Sequence, residues 1–122
     1  QLGDNSLLNR ALPVEMQGVV DAAAVAAVQH RTCVLRTNGE MHCTGSNGHG
    51  QLGDGSRIGR ITLVQVNFAG QIAAMGVGIG SESNLALNTD NELFSWGLNN
   101  QGQLGQGNSQ TPQLTPGAVV GF

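Results

Sequence analysis

The sequence predicts an all-β protein built from a repeated unit, and three observations support this fold class. First, the phrase Gln-Leu-Gly occurs three times, starting at Gln1, Gln51 and Gln103. Second, the segments 33–43 and 85–96 each contain two short apolar runs around a turn of Asn, Asp or Gly, which is typical of a tight β-hairpin. Third, the segments 21–28 and 70–80 are rich in small residues. Because the second of these has too many glycines for a helix, we predict both as buried strands.

The repeat extends well beyond the Gln-Leu-Gly phrase. With an offset of 52 residues, matching pairs are Leu35 and Leu87, Thr37 and Thr89, Met41 and Leu93, Gly45 and Gly97, and Asn47 and Asn99. The chain of 122 residues therefore divides into units 1–50, 51–102 and a truncated 103–122. These units lie in one domain, 1–122, which is long enough to bury a core.

Charge and hydropathy exclude two classes of partner. The net charge is −3, with five arginines and no lysine, so the chain lacks the basic patch that nucleic-acid binding requires. Its longest apolar stretch, 19–28, is interrupted by Asp21 and is too short to span a bilayer. We expect neither a nucleic acid nor a membrane as a partner.

Two cysteines are placed to meet across the first hairpin. A three-residue loop at 37–39, with its glycine in the left-handed conformation, sets Cys33 opposite Cys43 in a non-hydrogen-bonded pair. Such a pair has a Cα separation of about 4.5 Å, at the short end of the disulfide range. A disulfide favours an extracellular or periplasmic, secreted protein.

Two alternatives to the disulfide remain open. The cysteines could be reduced, buried thiols in a cytoplasmic protein. They could instead bind zinc together with His30 and His42, although strand alternation puts the histidines on the opposite face. We expect no metal.

Enzyme motifs find little support in the sequence. The stretch 76–81 resembles a dinucleotide loop, but it lacks the third glycine and leads into a hairpin rather than a helix. Asp4 and Asp54 recur at one repeat position, which separates them in space, whereas paired carboxylate catalysis needs them within several ångströms. We expect no catalytic residue, no cofactor and no enzymatic activity.

The repeat resembles that of the regulator of chromosome condensation family. The resemblance rests on "HRTCVLRTNGEMHCTG" and "ESNLALNTDNELFSWG", followed by "GSNGHGQLGDGS" and "GLNNQGQLGQGNS", and it covers essentially the whole chain. Two departures stand out. Thr44 occupies the position of the tryptophan that is kept as Trp96, and Glu82 replaces the histidine represented by His30.

The resemblance implies a β-propeller, which in this family typically has seven blades, each a four-stranded antiparallel sheet. The chain is then long enough for about two and a half blades. The remaining blades would come from the same parent chain or from other copies. In such a fold Trp96 packs between neighbouring blades.

The same resemblance, with the sparse charge, implies a non-enzymatic protein-protein interaction module. Arg57 and Arg60, in the loop after the second Gln-Leu-Gly, are the candidate contact residues. One alternative is a guanine nucleotide exchange factor for a small GTPase, as the founding family member is for Ran. Another is a structural, self-assembling partial propeller.

The Gln-Leu-Gly segment itself is predicted as a connector between blades. Its leucine, Leu52, would pack in the blade core and Gln51 would bond unpaired turn backbone, with Leu2 and Leu104 repeating the anchor. The structural turn residues are Gly50, Gly53, Gly55, Gly102, Gly105 and Gly107, because glycine adopts positive φ without strain.

Overall fold

The computed structural model describes residues 1–78 and 80–121 and contains two four-stranded antiparallel sheets, which confirms the predicted fold class. Ile79, which belongs to the glycine-rich stretch 76–81, and Phe122 lie outside the described residues. The strands are β1 (Ala22–Val28), β2 (Arg31–Arg36), β3 (Met41–Gly45), β4 (Arg60–Gln65), β5 (Ile72–Val77), β6 (Ser83–Asn88), β7 (Leu93–Gly97) and β8 (Gln113–Ala118). Within this part of the chain no helix is long and apolar enough to cross a membrane.

Each sheet is a simple meander, in the orders β1-β2-β3-β4 and β5-β6-β7-β8. The hairpin between β2 and β3 has the predicted register, with Cys33 opposite Cys43. Its turn places Gly39 at φ 84°, and the second hairpin places Asn91 at φ 62°. Both are left-handed conformations that such loops require.

The two small-residue segments form strands, as predicted, but the expectation that they are buried is wrong. Five of the seven residues of β1 are exposed and none is buried, and in β5 only Ile72 is buried. β1 and β5 are edge strands of their sheets, and they lie near each other along one side of the molecule. Two sheets alone do not cover this side, so the small side chains remain accessible.

The hydrophobic core lies between the two sheets. It combines Cys33, Leu35, Met41, Cys43, Leu52 and Val66 of the first blade with Ile72, Ala86 and Trp96 of the second. Trp96 is fully buried there, which confirms that it packs between blades. The interface between blades is therefore the main source of apolar burial in this chain.

The sheets are staggered relative to the sequence units. The first sheet uses residues 22–65, so its outer strand β4 lies in the unit 51–102. Likewise β8 lies in the unit 103–122. The segment 1–21 carries the first Gln-Leu-Gly and contains no strand.

Candidate interaction surface

The Gln-Leu-Gly segments lie in the long loops that join the third and fourth strands of each sheet. These are loop 46–59, between β3 and β4, and loop 98–112, between β7 and β8. In an antiparallel meander they share one end of the sheets with the β1–β2 and β5–β6 turns. We call this end the connector end.

A buried asparagine holds each connector loop in shape. The side-chain Nδ2 of Asn47 donates to the carbonyls of Ser56 and Ile58 at 3.0 and 3.1 Å, and its Oδ1 accepts from the Leu52 N–H at 2.9 Å. Asn99 makes the corresponding bonds in the second loop. The match of these two asparagines at equivalent repeat positions is the sequence signal for this role.

The connector turn itself has the predicted glutamine contact. The Oε1 of Gln51 accepts from the His49 N–H at 2.8 Å, and Gln103 does the same with Gln101. Positive φ angles between 65° and 83° occur at all six turn glycines, which are Gly50, Gly53, Gly55, Gly102, Gly105 and Gly107.

The leucine anchor holds in two copies of the connector and fails in one. Leu52 and Leu104 are buried, whereas Leu2 is 40% exposed, so the prediction for Leu2 is wrong. Leu52 belongs to the core between the sheets, whereas Leu2 lies in the segment 1–21, which contains no strand.

Asp54 braces the connector loop from inside. Its Oδ1 accepts from the Ser56 N–H at 3.0 Å, and its carboxylate pairs with Arg60 at 3.1 Å. Burial raises the pKa of Asp54, but the hydrogen bonds from Ser56, Arg60 and Asn47 outweigh it and leave the pKa below its ordinary value. Asp4 makes the equivalent contacts in its own loop, with the Ser6 N–H and with Arg10.

The connector loop 46–59 contacts the second blade. The carbonyl of Gln51 accepts from the Trp96 indole N–H at 3.1 Å and also from the side-chain amide of Asn84. A Cβ added at Gly53 would lie 2.7 Å from the indole nitrogen. Only a glycine allows the connector to approach the tryptophan this closely.

Arg31 also crosses from the first blade to the second, a role that the sequence analysis missed. Its guanidinium is buried and donates to the carbonyls of Ser81 and Ser83 at 2.7 and 3.0 Å. A third bond, at 2.8 Å, reaches Oδ1 of Asn84. The contact depends on a neighbouring blade, which local sequence patterns do not describe.

The connector end carries exposed apolar side chains as well as arginines. We call this set the connector-end surface, and its residues are Leu7, Leu8, Arg57, Ile58, Arg60 and Ile61. The exposed fractions of Leu7 and Ile58 are 88% and 63%. Leu7, Arg60 and Ile61 line one shallow cavity of about 450 Å³, together with His30.

The two candidate arginines differ in their contacts within this surface. Arg57 is exposed and donates from Nε to the Gly48 carbonyl at 2.7 Å, with no carboxylate partner in the described structure. Arg60 is partly exposed and is already paired with Asp54. Arg57 is therefore the arginine with an uncompensated charge.

Comparison with known proteins identifies the repeat. Models of the Regulator of chromosome condensation (RCC1) repeat match residues 22–51, 76–103 and 90–122. The chain belongs to the RCC1 repeat family.

Relatives in this family are larger proteins. The chain is 29% identical over 111 residues to the ultraviolet-B receptor UVR8 of Arabidopsis thaliana, covering 89% of the chain and 25% of the receptor. It is 32% identical over 105 residues to the X-linked retinitis pigmentosa GTPase regulator of Canis lupus familiaris, covering 85% of the chain and 10% of the regulator. The chain thus spans a quarter or less of the length of these relatives.

A solved RCC1 structure has the same fold. The structure of yeast RCC1 (Prp20) with Kap60 bound superposes with a TM-score of 0.72 at 19% identity, covering 89% of this chain and 26% of the yeast chain. The two four-stranded sheets described above are accordingly blades of an RCC1-type propeller.

The remaining predicted site residues lie in the RCC1 blade interior. Cys33 and Cys43 are fully buried and their sulfur atoms are bonded, with the Cα atoms 4.1 Å apart. In place of the RCC1 tryptophan, Thr44 donates its hydroxyl to the Arg60 carbonyl at 2.9 Å. Across residues 1–78 and 80–121, no group of three or more His, Cys, Asp or Glu side chains could hold a metal ion.

Proposed function

We propose that this chain is a section of an RCC1-type propeller that binds another protein through its connector-end surface and catalyses no reaction. The observation that carries the proposal is the set of exposed leucine and isoleucine side chains at the connector end, which are Leu7 and Leu8 of the segment 1–21, Ile58 of the loop 46–59 and Ile61 at the start of β4. Exposed apolar groups that cluster beside arginine are typical of protein-protein contact sites.

The connector loops are held rigidly, which favours binding. Each is braced internally by a buried asparagine, Asn47 or Asn99. The first is also fixed to the second blade through the Gln51 carbonyl. A preorganised surface loses little conformational entropy when a partner binds, and more of the contact energy becomes affinity.

The chemistry of the surface indicates the kind of partner segment. Leu7, Ile58 and Ile61 offer apolar contact area. Because Arg10 and Arg60 are neutralised by aspartates, Arg57 supplies the available positive charge. A complementary partner would present an apolar segment flanked by a carboxylate.

The yeast RCC1 structure gives support at the level of the family. In that structure the propeller protein has Kap60 bound. It supports the binding of proteins by RCC1-type chains.

Paired charge substitutions at equivalent loop positions test this proposal. Ile58→Asp is expected to abolish retention of the partner in a pull-down from extract, because the charge disrupts the apolar contact. Gln110 is the counterpart of Ile58 in the second connector, and it is polar and exposed. Gln110→Asp is therefore the matched control and should retain the same protein. Equal retention by both variants would contradict binding at this surface.

Guanine nucleotide exchange is the second candidate function, favoured by the relative whose name is a GTPase regulator. Nucleotide-release assays on small GTPases separate the two functions. An interaction module leaves the release rate unchanged while it still retains its partner. Faster release that Ile58→Asp removes would instead assign exchange activity to this surface.

Head-to-tail self-assembly is disfavoured by the contacts of the segment 1–21. The Asn5 N–H bonds the Ile61 carbonyl at 3.2 Å, just as the Gly55 N–H bonds the Leu114 carbonyl at 3.0 Å. The segment 1–21 thus already occupies the first blade at the place where the connector loop of a second copy would have to dock. Sedimentation is expected to find a monomer, and a concentration-dependent oligomer would revive the self-assembly alternative.

A further inference from the structure

Two charged residues at the blade interface, Arg31 and Glu82, occupy positions at which the two repeats differ. Arg31 occupies the position that is Ser83 in the second blade, and Glu82 occupies the position that is His30 in the first. One departure introduces a positive charge on the first blade. The other introduces a negative charge on the second blade at the same interface.

The arginine surrounds the backbone that carries the glutamate. The guanidinium of Arg31, in a residue only 3% exposed, bonds the carbonyls of Ser81 and Ser83, which precede and follow Glu82 in sequence. It also bonds the side-chain oxygen of Asn84. All three acceptors belong to the second blade.

Two further hydrogen bonds join Asn84 to Glu82 through Gln51 of the connector loop. The side-chain amide of Asn84 donates to the Gln51 carbonyl, and the side-chain amide of Gln51 donates to the Glu82 carboxylate. A continuous chain of hydrogen bonds therefore runs from Arg31 to Glu82. Arg31 and Gln51 belong to the first blade, and Asn84 and Glu82 belong to the second.

Electrostatics favours this combination of residues. Burial lowers the pKa of Arg31, and the negative charge of Glu82 raises it. A buried cation without a compensating charge strongly destabilises the folded state. The Nε of Arg31 has no hydrogen-bond partner in the described structure, which makes the remaining contacts and the nearby carboxylate more important.

We propose that Arg31 and Glu82 are matched residues that determine which repeat can follow which in the propeller. A blade with arginine at the first position accepts a following blade with an acid at the second position. The proposal concerns blade order and does not depend on what binds the connector-end surface.

The side of the second blade that faces away from the first should then not favour an acidic residue on a neighbouring blade. It carries Ser83 at the position of Arg31, and it borders a cavity of about 370 Å³ whose walls include Leu85, Leu98 and Gln103. On the first blade, the corresponding seat is filled by Ser81–Asn84 of the next blade. A blade that packs on this side would be expected to carry a neutral residue or a histidine at the position of Glu82.

A double-mutant cycle on the full chain tests the pairing. Arg31→Ser and Glu82→His, made singly and together, replace each residue by its counterpart in the other repeat. Unfolding in urea is followed by the fluorescence of Trp96, the single tryptophan, which lies in this interface. Each substitution lowers the folding equilibrium constant by some factor. We expect the factor for the double variant to be roughly 3- to 100-fold smaller than the product of the two single-variant factors. Losses that multiply independently would overturn the proposal.

A conservative cycle covers the case in which Arg31→Ser does not fold. Glu82→Gln keeps an acceptor for Gln51 and removes only the charge, and it is measured in the parent and in the Arg31→Gln background. We expect a larger loss in the parent, because only there is a buried cation left uncompensated. Equal losses in the two backgrounds refute the pairing. Glu15→Gln, at an exposed carboxylate without a hydrogen bond in the described structure, is the control and should cost the same in both.

Discussion

Gly53→Ala tests the contact by which the first connector sits on the second blade. Gly53 has φ 71°, and a Cβ there would lie 2.7 Å from the indole nitrogen of Trp96 and 2.9 Å from Val66 Cγ1. An alanine in the left-handed conformation costs about 1–2 kcal/mol. Overpacking of a well-packed interface adds about 1–3 kcal/mol. The free energy of unfolding should therefore fall by about 2–5 kcal/mol.

Gly102→Ala isolates the backbone part of this loss. Gly102 also has φ 71°, but no atom lies within 4 Å of its added Cβ. Only the conformational cost of about 1–2 kcal/mol applies. Urea unfolding followed by Trp96 fluorescence should therefore show Gly53→Ala to be less stable than Gly102→Ala by about 1–3 kcal/mol. Equal losses would refute the reasoning, because they would mean that the connector does not press against the tryptophan.

Three further outcomes are expected. Thiol titration of unfolded, unreduced protein should find no free thiol at Cys33 or Cys43, and reduction should cost about 2–4 kcal/mol. Two thiols in freshly isolated protein would contradict the bridge and favour a cytoplasmic location. Because the folded-state pKa of Asp54 is depressed, its stabilisation is present above its unfolded pKa near 3.8 and is lost as pH falls through the folded value. Asp54→Asn should therefore reduce the acid sensitivity of the urea midpoint, and an unchanged pH profile would argue against the effect. Asn47→Ala should lower stability by at least about 2 kcal/mol, because buried carbonyl and N–H groups lose their partners. Asn9→Ala, at an exposed position, should be neutral in the same urea assay, and equal effects would contradict the bracing role.

The features that the sequence predicted correctly are those set by nearby residues. The turn at Gly39 fixes the register of the first hairpin within a few residues, so the opposition of Cys33 and Cys43 follows from local geometry. The contact of Gln51 with the His49 N–H is equally local. In both cases the interacting groups lie within one loop.

The features that it missed depend on neighbouring blades. Arg31 acts only on residues some fifty positions later, and no hairpin or turn pattern encodes that contact. Small side chains predict burial of β1, and the repeat position predicts burial of Leu2, but in the two sheets both are accessible. The packing of one blade on another is a property of the assembled propeller. In the sequence it is visible only at positions where the repeats differ from one another.

The stagger between sequence units and sheets has a consequence for how such a chain can evolve. Every sheet receives its outer strand from the unit that follows, as β4 comes from 51–102 and β8 from 103–122. A tandem duplication of one unit would therefore add a blade without leaving any internal sheet short of a strand. Consecutive blades are also connected covalently, because each sequence unit contributes strands to two sheets. Loss of a single unit would therefore remove one blade and leave each remaining sheet complete.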